Sequence, residues 1–88
     1  MATVLVPTPL VSYTGGLREV AAAGTTLAAV LAQLDARFPG IRFRIVDEQG
    51  RVRTHIKFFV DGVMTDELGH AVGEGGEVMI VAALSGGR

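Results

Sequence analysis

Apolar and polar residues alternate in short runs near both ends of the chain, and in one stretch between them apolar residues recur every three or four positions. Thr3-Val4-Leu5-Val6-Pro7 reads as a strand and Leu17-Arg18-Glu19-Val20-Ala21 as a second, with a turn at Thr14-Gly15-Gly16 before it. These predict an N-terminal hairpin with a wide loop. Thr25-Thr26 then precede Leu27, Val30, Leu31, Leu34 and Phe38, whose spacing lays one apolar stripe along a helix. A threonine supplies the N-cap and Pro39-Gly40 stops the helix.

An arginine-rich connection with a short helical turn around Ile41 to Val46 leads to Ile56-Lys57-Phe58-Phe59-Val60, a strand that ends in the tight-turn pair Asp61-Gly62. Leu68 to Val72 reads as a single helical turn, Gly73-Glu74-Gly75-Gly76 as a turn, and Val78 to Leu84 as the last strand. One helix covers one face of a sheet. If its stripe packs on Phe58, Val60, Val78, Ile80 and Ala82, alternation sends Phe59, Met79, Val81 and Ala83 to the other face, where nothing in the chain is left to bury them. That face is the expected partner-binding surface.

Eighty-eight residues make one domain, in which about two-thirds of the unfolded chain's surface can be buried. Apolar residues make up 49% and charged residues 19%, enough for a core without metals, and the absence of cysteine rules out disulfides and thiol chemistry. The net charge of −1 has no basic run behind it, which argues against a nucleic-acid partner. Arg42, Arg44, Arg51 and Arg53 are the one basic concentration and read as a solvated segment rather than a phosphate site. The first apolar stretch lacks a basic leader and is broken by Pro7 and Pro9, so neither a signal peptide nor a membrane span is expected, and a cytoplasmic protein is the default.

Motifs for intrinsic chemistry are weak. His55 and His70 are not part of a spaced ligand cluster, so no metal is expected. Gly73 to Gly76 leads into a strand rather than a helix and carries no lysine at phosphate-loop spacing. Asp61, Asp66 and Glu67 have no nucleophile beside them. The informative feature is the end of the chain, where Ser85-Gly86-Gly87-Arg88 follows directly on the last strand. Glycines without side chains can thread a narrow channel and bring a carboxylate to a partner's chemistry.

The hairpin, the helix start, the Phe58-Phe59-Val60-Asp61-Gly62 strand end, the turn at Gly73 to Gly76 and the terminal Gly86-Gly87 together resemble the ubiquitin-like sulfur carriers of the ThiS and MoaD type. Within that family, Pro7-Thr8, Tyr13-Thr14-Gly15-Gly16 and Gly24-Thr25-Thr26-Leu27 look most like the CysO group of cysteine-synthesis carriers. The resemblance implies an α+β β-grasp fold, a mixed sheet of roughly four to five strands with one main helix on one face. Residues 1–84 would form the domain and 85–88 a flexible tail.

It also implies a carrier rather than an enzyme. An E1-like activating enzyme of the MoeB or ThiF type would use ATP and Mg²⁺ to adenylate Gly87, and a sulfur donor would then leave a thiocarboxylate for a sulfur-accepting biosynthetic enzyme. The carrier itself would hold no cofactor. Gly86 would be the slender approach, with Leu84 and Ser85 lining the partner's channel. Arg88 departs from the family pattern, because it makes Gly87 an internal amide. Either a protease of the JAMM type cuts between Gly87 and Arg88, or Arg88 is not native, or the chain has lost the carrier role. Two other functions compete: a protein modifier joined to lysines through the same tail, and an interaction module that uses only the Phe59, Met79 and Val81 face.

Overall fold

Strand β1 (Ala2–Leu5) ends because Pro7 follows it with no N–H to offer a ladder, and Pro7 instead starts a 3-10 helix over Thr8–Thr14. This helix fills the wide loop of the expected hairpin, and β2 (Glu19–Ala22) returns antiparallel with Val4 opposite Val20. Thr14 is buried inside the loop. Its hydroxyl is satisfied locally, 2.7 Å from the Leu17 carbonyl and 3.1 Å from that of Val11. The computed structural model describes residues 1–82, so Ala83, Leu84, Ser85, Gly86, Gly87 and Arg88 lie outside the described residues, and with them the expected tail.

Helix α1 (Leu27–Arg37) begins where the threonine pair indicated. Thr26 is the N-cap, its Oγ1 accepting the Ala29 N–H at 3.2 Å. The chain enters this cap through Gly24, at φ +144°, where an added Cβ would lie 2.7 Å from the Val30 nitrogen. Only glycine fits there. Leu27, Val30, Leu31 and Leu34 are fully buried, and Phe38 packs at the margin. The short α2 (Ile41–Ile45) follows and buries Ile41 and Ile45, and Asp35 Oδ1 secures the joint by accepting the N–H groups of Gly40 (3.1 Å) and Arg42 (3.0 Å).

Strand β3 (Ile56–Val60) turns through Asp61 (φ 50°) and Gly62 (φ 85°) into β4 (Val63–Thr65). Two consecutive positive φ values are what a tight two-residue hairpin needs. Strand β5 (Glu77–Ala82) then runs up the middle. The described residues form a five-stranded sheet in the order β2-β1-β5-β3-β4, with β1 and β5 parallel and the other pairs antiparallel. Its α1 face buries Val4, Val20, Ile56, Phe58, Val60, Val78 and Ile80. This is the ubiquitin-like β-grasp arrangement expected from the sequence.

One expected element is absent. Leu68 to Val72 is not a helical turn: the chain turns at Leu68-Gly69 and is then extended, with Ala71 bridged to Thr26. The reason lies in α1, whose first N–H groups have no partners within the helix. Leu27 donates to the His70 carbonyl at 2.9 Å and Ala28 to that of Leu68 at 2.8 Å, while Val72 donates back to Thr25. An open backbone at 68–72 satisfies the helix start, whereas a helical turn there would spend the same carbonyls internally.

Candidate functional site at the open sheet face and the end of β5

Of the residues expected on the open face, Phe59, Met79 and Val81 turn away from α1, and Ala83 lies outside the described residues. Phe59 and Met79 are direct partners in the β3–β5 ladder. Phe59 and Val81 are half-buried, and Met79 is 37% exposed. The ladders extend this patch to two residues not singled out from the sequence. Leu5 stands beside Met79 across the parallel pair, and Met64 opposite Phe59 across the hairpin. Leu5, Met79, Phe59 and Met64 therefore make an apolar row across four strands. The Asp61-Gly62 turn already held the signal for Met64, since a two-residue turn fixes the register that pairs it with Phe59.

At its far end β5 leaves the sheet between two neighbours that both stop. Ala82 pairs with Ile56, the first residue of β3, and on the other side β1 has given way to Pro7. Pro7, Thr8, Pro9, Ile80, Val81 and Ala82 line a shallow, mainly apolar groove of about 590 Å³. A second groove, of about 850 Å³, also reaches Ala82 and is walled by Tyr13, Phe43, Arg44, Arg53 and His55.

The arginine-rich connection is more ordered than its composition suggested. Arg44 Nε donates to the Tyr13 hydroxyl and the guanidinium lies 5.8 Å from the Tyr13 ring centroid. Arg53 Nε donates to the Phe43 carbonyl at 2.8 Å, and its guanidinium sits 4.7 Å from the Phe43 ring centroid. Asp47 organises the loop between them by accepting the N–H groups of Gln49 (2.9 Å) and Arg51 (3.0 Å). The Arg51 N–H above all, then that of Gln49 and the Arg51 and Arg53 guanidiniums, hold the Asp47 carboxyl below its ordinary range against a smaller desolvation effect.

The acidic residues considered for acid/base work are apart from this end. Asp61 Oδ1 accepts the Glu77 N–H at 2.9 Å and thereby pins the start of β5. Among the described residues no three His, Cys, Asp or Glu side chains gather into a metal-binding group, and no helix is long and apolar enough to cross a membrane.

Among the described residues the geometry offers a surface and a strand end rather than a catalytic constellation, and comparison with known proteins gives this a family. A model of the ThiS family matches residues 4–87. The chain belongs to the ThiS family. It is 37% identical over 92 residues to the sulfur carrier protein CysO of Mycobacterium tuberculosis, with 97% of each chain covered. CysO in the crystal structure of the Amycolatopsis orientalis BexX/CysO complex superposes with a TM-score of 0.90 at 30% identity, covering 99% of this chain and 100% of that one. SAMP1 from Haloferax volcanii gives 0.78 at 25% identity, with 98% of each covered. ThiS-family membership and the CysO likeness make this chain a carrier and not an enzyme.

Proposed function

We propose that this protein carries sulfur as a thiocarboxylate on Gly87, and the observation that carries this reading is the family match extending through residue 87, over the Gly86-Gly87 pair. A free carboxylate is a poor electrophile, so an E1-like enzyme of the MoeB or ThiF type first joins it to the AMP moiety of ATP, with Mg²⁺, and releases pyrophosphate. A sulfide-level donor then attacks the carbonyl carbon, the C–S bond forms, and AMP leaves with the electrons of the C–O bond. A biosynthetic enzyme takes the sulfur from the product. The BexX/CysO complex supports such a partner, because there a CysO is seen bound to another protein.

Activation requires a free carboxylate on Gly87, and Arg88 occupies it. Hydrolysis of the Gly87–Arg88 bond by a JAMM-type protease supplies it. Leu84, Ser85 and Gly86 then line the enzymes' channel, while Phe59, Met79 and Val81, joined by Leu5 and Met64, form the docking face. These steps belong to the cytoplasm, where ATP is at hand.

The likeness to SAMP1 favours a second reading, attachment of the same activated tail to lysines of other proteins. Deleting Ser85 to Arg88 tests both against a plain interaction module. The deletion abolishes sulfur transfer and conjugation if the tail is the working part, and full retained activity contradicts both readings. Conjugates of higher mass in cells then separate the modifier from the carrier.

A further inference from the structure

We propose that the groove walled by Tyr13, Phe43, Arg44 and Arg53 receives a carboxylate-bearing loop of the enzyme that activates the tail, with Arg44 and Arg53 as its two anchors. The inference rests on the carrier reading for the identity of the partner. Each guanidinium is held in place by one Nε hydrogen bond and one aromatic ring, Arg44 by Tyr13 and Arg53 by Phe43. Among the described residues their terminal Nη groups make no hydrogen bond and neither arginine has an ion-pair partner. A planar guanidinium fixed this way has lost much of its rotamer freedom before binding, and its open N–H edge matches a carboxylate in bidentate fashion.

The groove's own carboxylates do not fill that role. Asp47 accepts the N–H groups of Gln49 and Arg51 through Oδ1 and feels the Arg53 charge without forming an ion pair with it, and Glu48 is exposed and forms no ion pair with either arginine. Phe43, 54% exposed beside Arg53, adds an apolar contact of the kind that anchors interfaces. Position names the partner. The groove reaches Ala82, so an enzyme that takes the residues after Ala82 comes close beside this rim.

Charge orients the approach. At the other end of β5 stand Asp61, Glu74 and Glu77, with the Met1 amine bonded to Glu74. At the exit end the groove carries Arg44 and Arg53, with Arg18 and Lys57 on the neighbouring strands, beside Glu19, Asp47 and Glu48. An acidic partner surface is therefore drawn to the end from which the tail departs.

The test is a calorimetric titration of the full chain into the E1-like activating enzyme of its own organism, at low and at physiological salt. Replacing both arginines, Arg44→Gln with Arg53→Gln, is expected to weaken Kd by roughly tenfold or more and to flatten its salt dependence. Arg44→Lys with Arg53→Lys keeps the charge but loses the planar fork, and falls between the two. Arg51→Gln removes the same charge from the same segment outside this groove and leaves Kd unchanged; thermal melts confirm that each variant is folded.

Wild-type Kd in the double glutamine variant, an equal loss in Arg51→Gln, or no docking by the wild type overturns the assignment. So does saturable binding of Mg-ATP alone at Arg44 and Arg53, read from amide chemical shifts. ATP–pyrophosphate exchange with the chain ending at Gly87 tests the carrier reading separately. A protein that docks through these arginines yet exchanges no pyrophosphate contradicts that reading and leaves the docking site standing.

Discussion

Phe59 and Met79 stand opposite each other in the β3–β5 ladder and turn to the same side of the sheet, away from α1. Their neighbours on either side, Leu5 and Met64, continue the apolar row, so a change on this face alters a surface that the core does not need. Phe59→Ser and Val81→Asp are therefore expected to weaken docking on the activating enzyme more than they weaken the fold. The check pairs a titration of that enzyme with a denaturant melt; unchanged affinity refutes the prediction.

Gly87 lies five residues beyond Ala82, where the described ladder ends. On the carrier reading, Gly87→Ala is expected to impair sulfur transfer severely, because an added methyl would obstruct a channel that admits only glycine, and to leave the melting temperature at its wild-type value. Normal transfer, with correct removal of Arg88 confirmed by mass, counts against the reading.

Thr26 caps α1 with its hydroxyl, while its backbone bridges to Ala71. Thr26→Ala removes only the side-chain acceptor of the Ala29 N–H. An N-cap of this kind contributes about 1 kcal/mol, and urea denaturation should show a loss of about that size. By contrast, Phe58→Ala opens a cavity in a fully buried site and should cost roughly 3–5 kcal/mol.

Asp47 provides a pH signature. Its carboxyl titrates below the ordinary value of 3.8, so the stabilisation from its bonds to the Gln49 and Arg51 amides is fully present above that value and is lost as pH falls through the lower folded-state value. Asp47→Asn is expected to be less stable than wild type at neutral pH, with the gap closing in acid. Parallel urea titrations across that range check the sign. A gap that widens as the pH falls contradicts it.

The periodic elements were legible because one physical rule decided each. The three- and four-residue spacing from Leu27 to Leu34 gave α1, the threonine pair gave its cap, and Asp61-Gly62 gave a turn whose positive φ values few other pairs adopt. The conformation of Leu68 to Val72 is set from a distance, by the Leu27 and Ala28 N–H groups that find no partner within α1, and local pattern does not show it. The 3-10 helix at Thr8–Thr14 has no apolar period to announce it. Leu5 needed the strand order, which local pattern does not supply, whereas Met64 follows from the register of the Asp61-Gly62 hairpin. The tethering of Arg44 and Arg53 depends on rings from other parts of the chain, or from an arginine's own neighbourhood only after folding.

Intact mass tests the central claim most directly. The full chain is exposed to an extract of its own host and then to the activating enzyme, ATP, Mg²⁺ and a sulfide source. Loss of one arginine, followed by exchange of one oxygen for one sulfur at the new C-terminus, is the predicted result. Retention of Arg88, with no sulfur gained in an extract that processes and activates a control carrier, contradicts the account.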